Sequence, residues 1–470
     1  MIKNKKLILP LIFFSLFSFS SNSKIYFDLE EEPLPIVDLT VVLPFGHQTL
    51  TEKESGLSMM AQEMLAAGTL TKDRQAFNDQ LAKFGAEYSF SVGNHYSYWS
   101  LKLPFIKDKD YTPLIALLTE NWNSPRFTDK EFKLASLKIE ASFKSSLDSD
   151  SSLLSSAMKN FLNKKYLGGH PAFLDIVKKN ASLEATKEFF NQRIKSVKDV
   201  WVGAVAPDDS QDLMEKIVAT IFAKQGSVRR SKLKEALPTG AKPEGNIKPE
   251  KTFIVVDREG REQTIMGFMA LSPESLSQGN ELEFFFADYL LFSNGLDSYF
   301  ASVIRGQKGL AYGANSLVTQ YRDHKVLSLL TNPQASKMDE AFKTVSELTQ
   351  TTLEKSDKLK IINDKRWSRV FNSFQNLKAL ENGLPGQRLG NRMGVVTGSQ
   401  SYKVATSDPT NWKVKRENVA SLLEDHWKKS AIVIGAVGSS KAILPLLKKY
   451  FPDYKVKIIP YRDVIYSKAY

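Results

Sequence analysis

Residues 56–69 carry the most informative stretch of the chain, Gly-Leu-Ser-Met-Met-Ala-Gln-Glu-Met-Leu-Ala-Ala-Gly-Thr. Its apolar residues recur three or four positions apart, at Leu57, Met60, Ala61, Met64 and Leu65. This spacing places them on one face of an α-helix. The pattern therefore predicts a helix over 56–67 whose methionines belong to a core, because the unbranched Met side chain fills irregular gaps between packed elements.

The segments around this helix alternate between strand and helix patterns, and the order occurs twice. In the first pass, strands are predicted at 36–44 and 199–205, with two more within 87–103 on either side of Gly93-Asn94, and helices at 74–84, 111–124, 129–147 and 151–166. Residues 228–251 are polar, basic and rich in Pro and Gly, which indicates a linker. The second pass has strands at 252–256, 263–271, 314–319, 326–331, 431–437 and 455–460, and helices at 280–291, 297–305 and 338–353.

This repetition predicts an α+β fold of two related halves, residues 24–227 and 252–470. Each half would be a mixed or antiparallel sheet packed with helices. The length of 470 residues agrees, because single cores stop growing beyond about 250–300 residues.

The composition excludes several classes of function. The chain has no Cys, which rules out disulfides, a thiolate nucleophile and Cys-ligated zinc. Its net charge is +12, but the lysines are scattered among Asp and Glu. We interpret them as a solvated surface rather than a nucleic-acid-binding patch.

Residues 1–23 have the three-part pattern of a secretory signal peptide, with lysines first, an apolar run at 7–17 and then several serines. The apolar run is short of the ~20 residues that span a bilayer, so a membrane anchor is the less favoured alternative. Cleavage after Ser20 or after Ser23 fits the pattern equally well. We therefore predict an exported protein with no stable membrane span after cleavage.

Residues 56–69 resemble the zinc-motif region of the pitrilysin/insulinase-type zinc metallopeptidases. Active members carry Gly-Leu-Ala-His-x-x-Glu-His-Met-Leu-x-x-Gly-Thr there, and the flanks of that pattern match. A second segment, residues 305–312, reads Arg-Gly-Gln-Lys-Gly-Leu-Ala-Tyr and resembles the family's Arg–Tyr motif, with Arg and Tyr seven positions apart. Residues 166–171, Tyr-Leu-Gly-Gly-His-Pro, also resemble a family segment. The resemblance implies two halves that close like a clam shell around a peptide, and export to the periplasm of a Gram-negative bacterium.

The same resemblance shows that the zinc site is missing. The family's first His is Met59 here, its catalytic Glu is Gln62, and its second His is Glu63. A thioether is a poor ligand for Zn²⁺, and an amide cannot act as a general base. The family's third ligand falls at Glu140, or at Ser142 in an alternative alignment. Glu63 and Glu140 alone would offer a hard cation only two ligands, so we expect no metal or cofactor in this chain and zinc in a partner subunit.

The resemblance gives Arg305 and Tyr312 a role in substrate contact. Arg305 can donate paired hydrogen bonds to a peptide carbonyl or carboxylate, and Tyr312 can donate to a developing oxyanion. In two-chain family members one chain supplies the zinc motif and the other the Arg–Tyr pair. This implies a non-catalytic, substrate-contacting subunit of a heteromeric zinc endopeptidase. The structural alternative is that Arg305 lies at a helix end and Tyr312 begins a buried strand.

No other motif in the sequence indicates catalysis. The histidines, at positions 47, 95, 170, 324 and 426, are all more than four residues apart, so surface or core roles are favoured over metal binding. There is no Gly-x-Ser-x-Gly motif. Glycines at 386, 390, 394 and 398 would form a closely packed stripe if helical, and a loop otherwise. The alternative functions are a scaffold or peptide-binding protein of the same fold with no proteolytic role, and an autonomous hydrolase with an unrecognised site.

Overall fold

The computed structural model describes residues 24–222, 227–238, 247–261, 264–272, 280–293, 298–311, 314–316, 319–320, 324–354 and 364–470. The predicted signal peptide (1–23) and Tyr312 lie outside the described residues. Among those described, no helix is both long enough and apolar enough to cross a membrane.

The N-terminal half is a sheet of six strands covered by helices, in the part of the chain that the structure describes. Its strands are β1 Lys24–Glu31, β2 Ile36–Leu43, β3 Glu87–Val92, β4 Ser97–Pro104, β5 Val200–Ala206 and β6 Ser227–Arg230. Its helices are α1 Glu52–Leu65, α2 Arg74–Lys83, α3 Thr112–Asn123, α4 Asp129–Ser146, α5 Asp150–Leu162, α6 Leu174–Asn180, α7 Leu183–Phe189 and α8 Gln211–Ile221. The strand order is β3-β4-β2-β5-β1-β6.

The C-terminal half repeats this plan. Its strands are β7 Glu250–Asp257, β8 Ile265–Leu271, β9 Ala314–Ser316, β10 Thr319–Gln320, β11 Lys325–Thr331, β12 Ala431–Gly438 and β13 Lys455–Pro460. Its helices are α9 Glu281–Asp288, α10 Tyr299–Ala301, α11 Met338–Glu354, α12 Asp364–Asn382, α13 Pro385–Val396, α14 Tyr402–Thr406, α15 Arg416–Lys429 and α16 Ser440–Tyr450. The strand order is β10-β11-β8-β12-β7-β13, with β9 also paired to β11.

Sheet topology confirms the duplication. Strand β2 lies antiparallel to β4 and β5, and β5 lies parallel to β1. In the same way, β8 lies antiparallel to β11 and β12, and β12 lies parallel to β7. The predicted α+β fold of two related halves with mixed sheets is thus confirmed, and both sheets are open, as a clam-shell arrangement requires.

One helix of each half packs against the sheet of the other half. Leu154 and Met158 of α5 are fully buried against strands of the second sheet, in a core with Ile254 and Val433. Helix α13 covers the first sheet through Leu389 and Met393. The exchange joins the two halves through shared cores.

Charged side chains reinforce the contact between α13 and the first sheet. Arg388 Nε lies 2.7 Å from Glu30 Oε2, and Arg392 lies 3.4 Å from Asp28 Oδ1. Asp28 also accepts a hydrogen bond from the indole N–H of the buried Trp201. The two Arg–carboxylate pairs join residues more than 350 positions apart in sequence.

The segment predicted as a linker, 228–251, begins inside β6 and ends inside β7. Its first residues pair with β1 as an edge strand, Val228 opposite Ile25 and Arg230 opposite Phe27. An edge strand hydrogen-bonds on one side only and needs little apolar alternation, which is why its polar sequence resembled a loop. Leu237, further along, is buried and its backbone N–H donates to the carbonyl of Val396.

Candidate functional site

Helix α1 holds the positions of the family's zinc motif. It begins with a capping box in which the Thr51 hydroxyl accepts from the Glu54 backbone N–H while the Glu54 carboxylate accepts from the N–H of Thr51. The helix then passes close to α6, since a Cβ at Gly56 would lie 2.9 Å from the Cα of Val177. Both features fix the rotation of α1 and hence the direction of each side chain.

The methionines of α1 form core rather than a metal centre. Met60 and Met64 are fully buried and pack against Ala135 and Ile139 of α4 and against Val177. Met59, which replaces the first His of the motif, is half-buried against the same cluster. The predicted core role of these residues is what the structure shows.

The other two motif positions are held by hydrogen bonds and ion pairs. The Gln62 side-chain carbonyl accepts from the backbone N–H of Val92 at 3.3 Å, which ties α1 to β3. Glu63 Oε2 lies 2.6 Å from Lys138 Nζ of α4. A lysine ammonium therefore stands beside the carboxylate where an active site would need a metal ion.

Glu140, the candidate third ligand, is engaged in the same way. Its Oε1 lies 2.8 Å from Lys144 Nζ and 3.0 Å from Lys178 Nζ, and these contacts lower the pKa of the Glu140 carboxyl. Ser142, the alternative, is exposed. Among the described residues, no group of three or more His, Asp or Glu side chains is placed to hold a metal ion.

These contacts predict that the purified chain carries far less than one zinc per molecule. Two lysine-neutralised carboxylates do not replace the three or four good ligands that zinc sites need. Metal analysis after dialysis against metal-free buffer measures this directly. Stoichiometric zinc that disappears in Glu63→Gln, but persists in Glu52→Gln as the matched control on the exposed start of α1, would contradict the prediction.

The histidines do not supply an alternative site. His95, His324 and His426 are buried, and His324 Nδ1 lies 2.8 Å from the backbone carbonyl oxygen of Ser272. His47 and His170 are half-buried. Burial lowers the pKa of both His47 and His426 to about 4, so these two rings are neutral at pH 7.

Arg305 lies in a π-helical turn, Ser302–Gln307, that follows α10. It is half-buried, and its backbone carbonyl accepts from the N–H of Gly309, which takes a left-handed conformation with φ of 57°. Lys337 Nζ donates to the Gly309 carbonyl at 2.9 Å, and the buried Leu310 anchors the chain beyond. The turn thus presents Arg305 from a fixed backbone at a helix end. Tyr312 lies outside the described residues, so its geometry relative to Arg305 is not part of the site described.

The glycines at 386, 390 and 394 are helical, in α13, and Gly398 follows in a left-handed turn with φ of 71°. The expectation that a helical stripe packs closely is wrong for the first two. A Cβ at Gly386 would meet nothing within 4 Å, and at Gly390 only the Gln387 amide at 4.0 Å. Gly390 and Gly394 line a cavity instead, which the sequence did not predict.

Comparison with known proteins matches part of the chain to a family model and most of the chain to solved structures of the same fold. Residues 187–368 match the family model described as the Peptidase M16 inactive domain. A peptidase M16 inactive domain from Pseudomonas fluorescens has the same fold, with a TM-score of 0.70, 16% identity, and coverage of 90% of this chain and 96% of that one. A protease from Helicobacter pylori matches with a TM-score of 0.68 and 15% identity, over 87% of this chain and 96% of that one. No curated protein sequence matches the chain.

The periplasmic protease PqqL from Escherichia coli gives a further structural match. Its first half aligns with a TM-score of 0.64 and 13% identity, over 90% of this chain and 94% of that fragment. Against the whole of PqqL, the alignment covers 87% of this chain but 43% of that chain. Part of the chain thus matches the Peptidase M16 inactive domain, and the chain as a whole shares the fold of these structures, in agreement with the resemblance of its sequence to the pitrilysin/insulinase-type family.

Proposed function

We propose that this chain is the non-catalytic, substrate-contacting subunit of an exported, heteromeric zinc metalloendopeptidase. The proposal rests on the side chains that α1 has at the positions of the zinc motif. The helix keeps its place and its contacts with α4 and α6, but its metal-facing positions are Met59, Gln62 and a Glu63 that is paired with Lys138. A helix that keeps its packing contacts but lacks the zinc ligands and the general base is expected in a non-catalytic subunit whose partner chain binds the zinc.

The comparisons support a partner of the same fold. The chain aligns with the first half of PqqL, and with less than half of the complete PqqL chain. By analogy, a second chain of similar size would complete the enclosure around a peptide. PqqL is a periplasmic protease, and this similarity together with the signal-peptide pattern at 1–23 supports export to the periplasm.

Within such a complex, Arg305 and Tyr312 would contact the substrate opposite the partner's zinc. A guanidinium can hold a peptide carbonyl or carboxylate through two parallel hydrogen bonds, and a phenol can donate to the oxyanion that forms during hydrolysis. The turn at Arg305 supports this role, because its backbone is already held by hydrogen bonds and so loses little conformational entropy when a ligand binds.

The test is the variant Arg305→Ala in the assembled complex. We expect kcat/KM for peptide cleavage to fall about tenfold or more, since a charge-assisted hydrogen bond to substrate is worth roughly 1.5–3 kcal/mol. Assembly, followed by size-exclusion chromatography, should not change. The matched control is Lys308→Ala, three residues away, exposed and only loosely paired with Glu340 at 3.9 Å.

Unchanged cleavage by Arg305→Ala would remove the proposed contact. The complex itself is sought by affinity purification of the full chain from its native organism, with mass spectrometry of co-eluting proteins. A stoichiometric partner with an intact His-x-x-Glu-His motif supports the proposal. Recovery of the chain alone would favour a scaffold or peptide-binding role without proteolysis, and chelator-sensitive cleavage by the pure chain would favour an autonomous hydrolase.

A further inference from the structure

A cavity of about 420 Å³ that the site above does not explain lies in the C-terminal half, between α9, α12 and α13. Five aromatic side chains line it, namely Phe284, Phe285, Tyr289, Phe374 and Trp412. The volume is within the range of pockets that take small ligands or single large side chains.

The internal duplication explains where this cavity lies. Helices α9 and α12 occupy the places in the C-terminal half that α1 and α4 occupy in the N-terminal half, as the matching strand and helix order shows. Between α1 and α4 the space is closed by Met60, Met64 and Ile139. The cavity is thus the open counterpart of the closed space between α1 and α4 in the N-terminal half.

Two features keep the C-terminal space open. Aromatic rings fill the deep part of the contact, where Phe286 meets Phe371 and Phe374 with ring centroids 5.1 and 5.5 Å apart. Large rings that meet at steep angles cannot close every gap between helices. In addition, Gly390 and Gly394 of α13 present backbone without side chains to the cavity.

The aromatic wall is held in a fixed arrangement. Trp412 donates from its indole N–H to the Ser407 hydroxyl at 2.6 Å, and its ring lies 5.8 Å from that of Phe374. Tyr289 packs on the same Phe374 ring at 5.2 Å. A preformed aromatic wall favours an apolar group, because little side-chain entropy remains to be lost on binding.

The rim of the cavity is rich in carboxamides. Asn391 donates to the Asn382 side-chain oxygen at 2.8 Å, and Gln387 donates to the Asn391 side-chain oxygen at 3.4 Å. Each carboxamide has two N–H donors and a carbonyl acceptor, so these bonds leave both kinds of group for a ligand. This is the hydrogen-bonding pattern of a peptide backbone.

The charges at the cavity favour a ligand without strong negative charge. Lys378 Nζ lies 2.7 Å from Glu381 Oε2, so these two rim charges neutralise each other. The remaining charged group is Asp288, which is buried at the cavity wall and has its own interactions within the protein. Among the described lining residues, the one cation that an acidic side chain could meet is therefore Lys378, which is already paired with Glu381.

We propose that this cavity binds a peptide segment through one aromatic or large aliphatic side chain, which enters between the five rings while the rim carboxamides bond the peptide backbone. The proposal rests on the proposed function only in taking peptides as the ligand class. It assigns a peptide-binding site to the C-terminal half that needs neither zinc nor a partner subunit.

The experiment is isothermal titration of the full chain, without partner, with N-acetylated and C-amidated tripeptides. Ala-Phe-Ala is expected to bind with a dissociation constant of about 0.1–1 mM, and Ala-Gly-Ala about tenfold or more weakly, because the large side chain supplies most of the binding energy. Ala-Glu-Ala should bind as weakly as Ala-Gly-Ala.

The decisive variant is Gly390→Leu, which fills the cavity from a position where a side chain meets almost nothing. Leucine is also a better helix former than glycine, so the fold should tolerate it. We expect affinity for Ala-Phe-Ala to fall at least tenfold. Gly386→Leu is the matched control, since it lies on the same helix, outside the cavity lining and with no neighbour within 4 Å, and should bind as the natural chain does.

A second variant, Gln387→Ala, removes one exposed rim carboxamide without filling the cavity and is expected to weaken binding about threefold. Equal affinity for the Phe and Gly peptides, or undiminished binding by Gly390→Leu, would overturn the inference. These outcomes are separate from those of Arg305→Ala, because they are measured on the chain alone. If Arg305→Ala lost cleavage but the chain bound no peptide in the cavity, the proposed function would be supported and the cavity site would be rejected.

Discussion

Replacing Gly435 with valine is expected to lower the free energy of unfolding by about 3 kcal/mol, the upper end of the usual cost of overpacking a core. Gly435 lies in β12 directly opposite Gly267 of β8. A Cβ at Gly435 would lie 2.7 Å from Leu154 Cδ1 and 3.2 Å from the carbonyl oxygen of Ile254. Urea unfolding followed by tryptophan fluorescence measures the change.

The physical reason is the exchange of helices between the halves. Leu154 and Met158 belong to α5, which comes from the N-terminal half and lies on the second sheet above the paired glycines. The glycines form a flat area where the helix approaches closely. Because the same residues join the two halves, we expect the valine variant to weaken both halves rather than one strand.

A double-mutant cycle separates this explanation from a simple effect of losing glycine. Leu154→Ala removes the atom nearest to the new Cβ, and alone it should cost about 2–5 kcal/mol through the cavity that it leaves. Combined with Gly435→Ala, the two changes should cost less than the sum of the single changes, by about 1 kcal/mol. Additivity to within about 0.5 kcal/mol would mean that the helix and the glycine do not contact each other as described.

Much of this fold was predictable from the sequence because local patterns mark its elements. The helix at 56–67 and the strand at 36–44 correspond to α1 Glu52–Leu65 and β2 Ile36–Leu43. The repeated order of strands and helices predicted the two halves, and topology confirms it. These successes rest on apolar spacing, which reports the buried face of each element.

The exchange of α5 and α13 was not predictable, because spacing shows that a helix has a buried face but not which sheet covers it. The same limit applies to β6, an edge strand whose polar residues predicted a linker. For the candidate site, the substitutions at Met59, Gln62 and Glu63 were visible in the sequence. Their present contacts, above all the pairing of Glu63 with Lys138, come from α4 and required the structure.

The cavity was hidden for a similar reason. The glycines of α13 suggested close packing, but whether a glycine stripe faces a neighbour or an opening depends on the residues of other helices. In this case those residues are the large rings of α9 and α12. Sequence spacing on a single helix contains no information about the width of the space beside it.

The natural chain is expected to lose stability as the pH falls from about 6.5 to 4, and His426 to account for a large part of the loss. Its side chain is 1% exposed on α15, with its ring edge-on to Phe284 at a centroid distance of 5.5 Å. Burial lowers the pKa of His426 from 6.5 to about 4, and hydrogen bonding to the backbone of Ala270 offsets only part of that effect.

The sign follows from proton uptake. Between pH 6.5 and 4, His426 of the unfolded chain binds a proton that the folded chain does not bind, so protonation favours unfolding. The free energy of unfolding keeps its full value above pH 6.5 and falls as the pH drops toward 4. The total loss is about 3 kcal/mol for a pKa shift of this size. His47, whose pKa is also lowered to about 4 by burial, acts in the same direction.

The variant His426→Phe isolates this effect, because phenylalanine keeps an aromatic ring beside Phe284 but cannot take up a proton. We expect the difference in the free energy of unfolding between pH 7 and pH 4.5 to be about 2 kcal/mol smaller in the variant than in the natural chain. The comparison uses differences within each protein, so a change in packing that shifts both pH values equally does not affect it. An identical pH dependence in the two proteins would mean that His426 takes up a proton as readily in the folded chain as in the unfolded one. That result would contradict the prediction, which rests on the burial of His426 against Phe284.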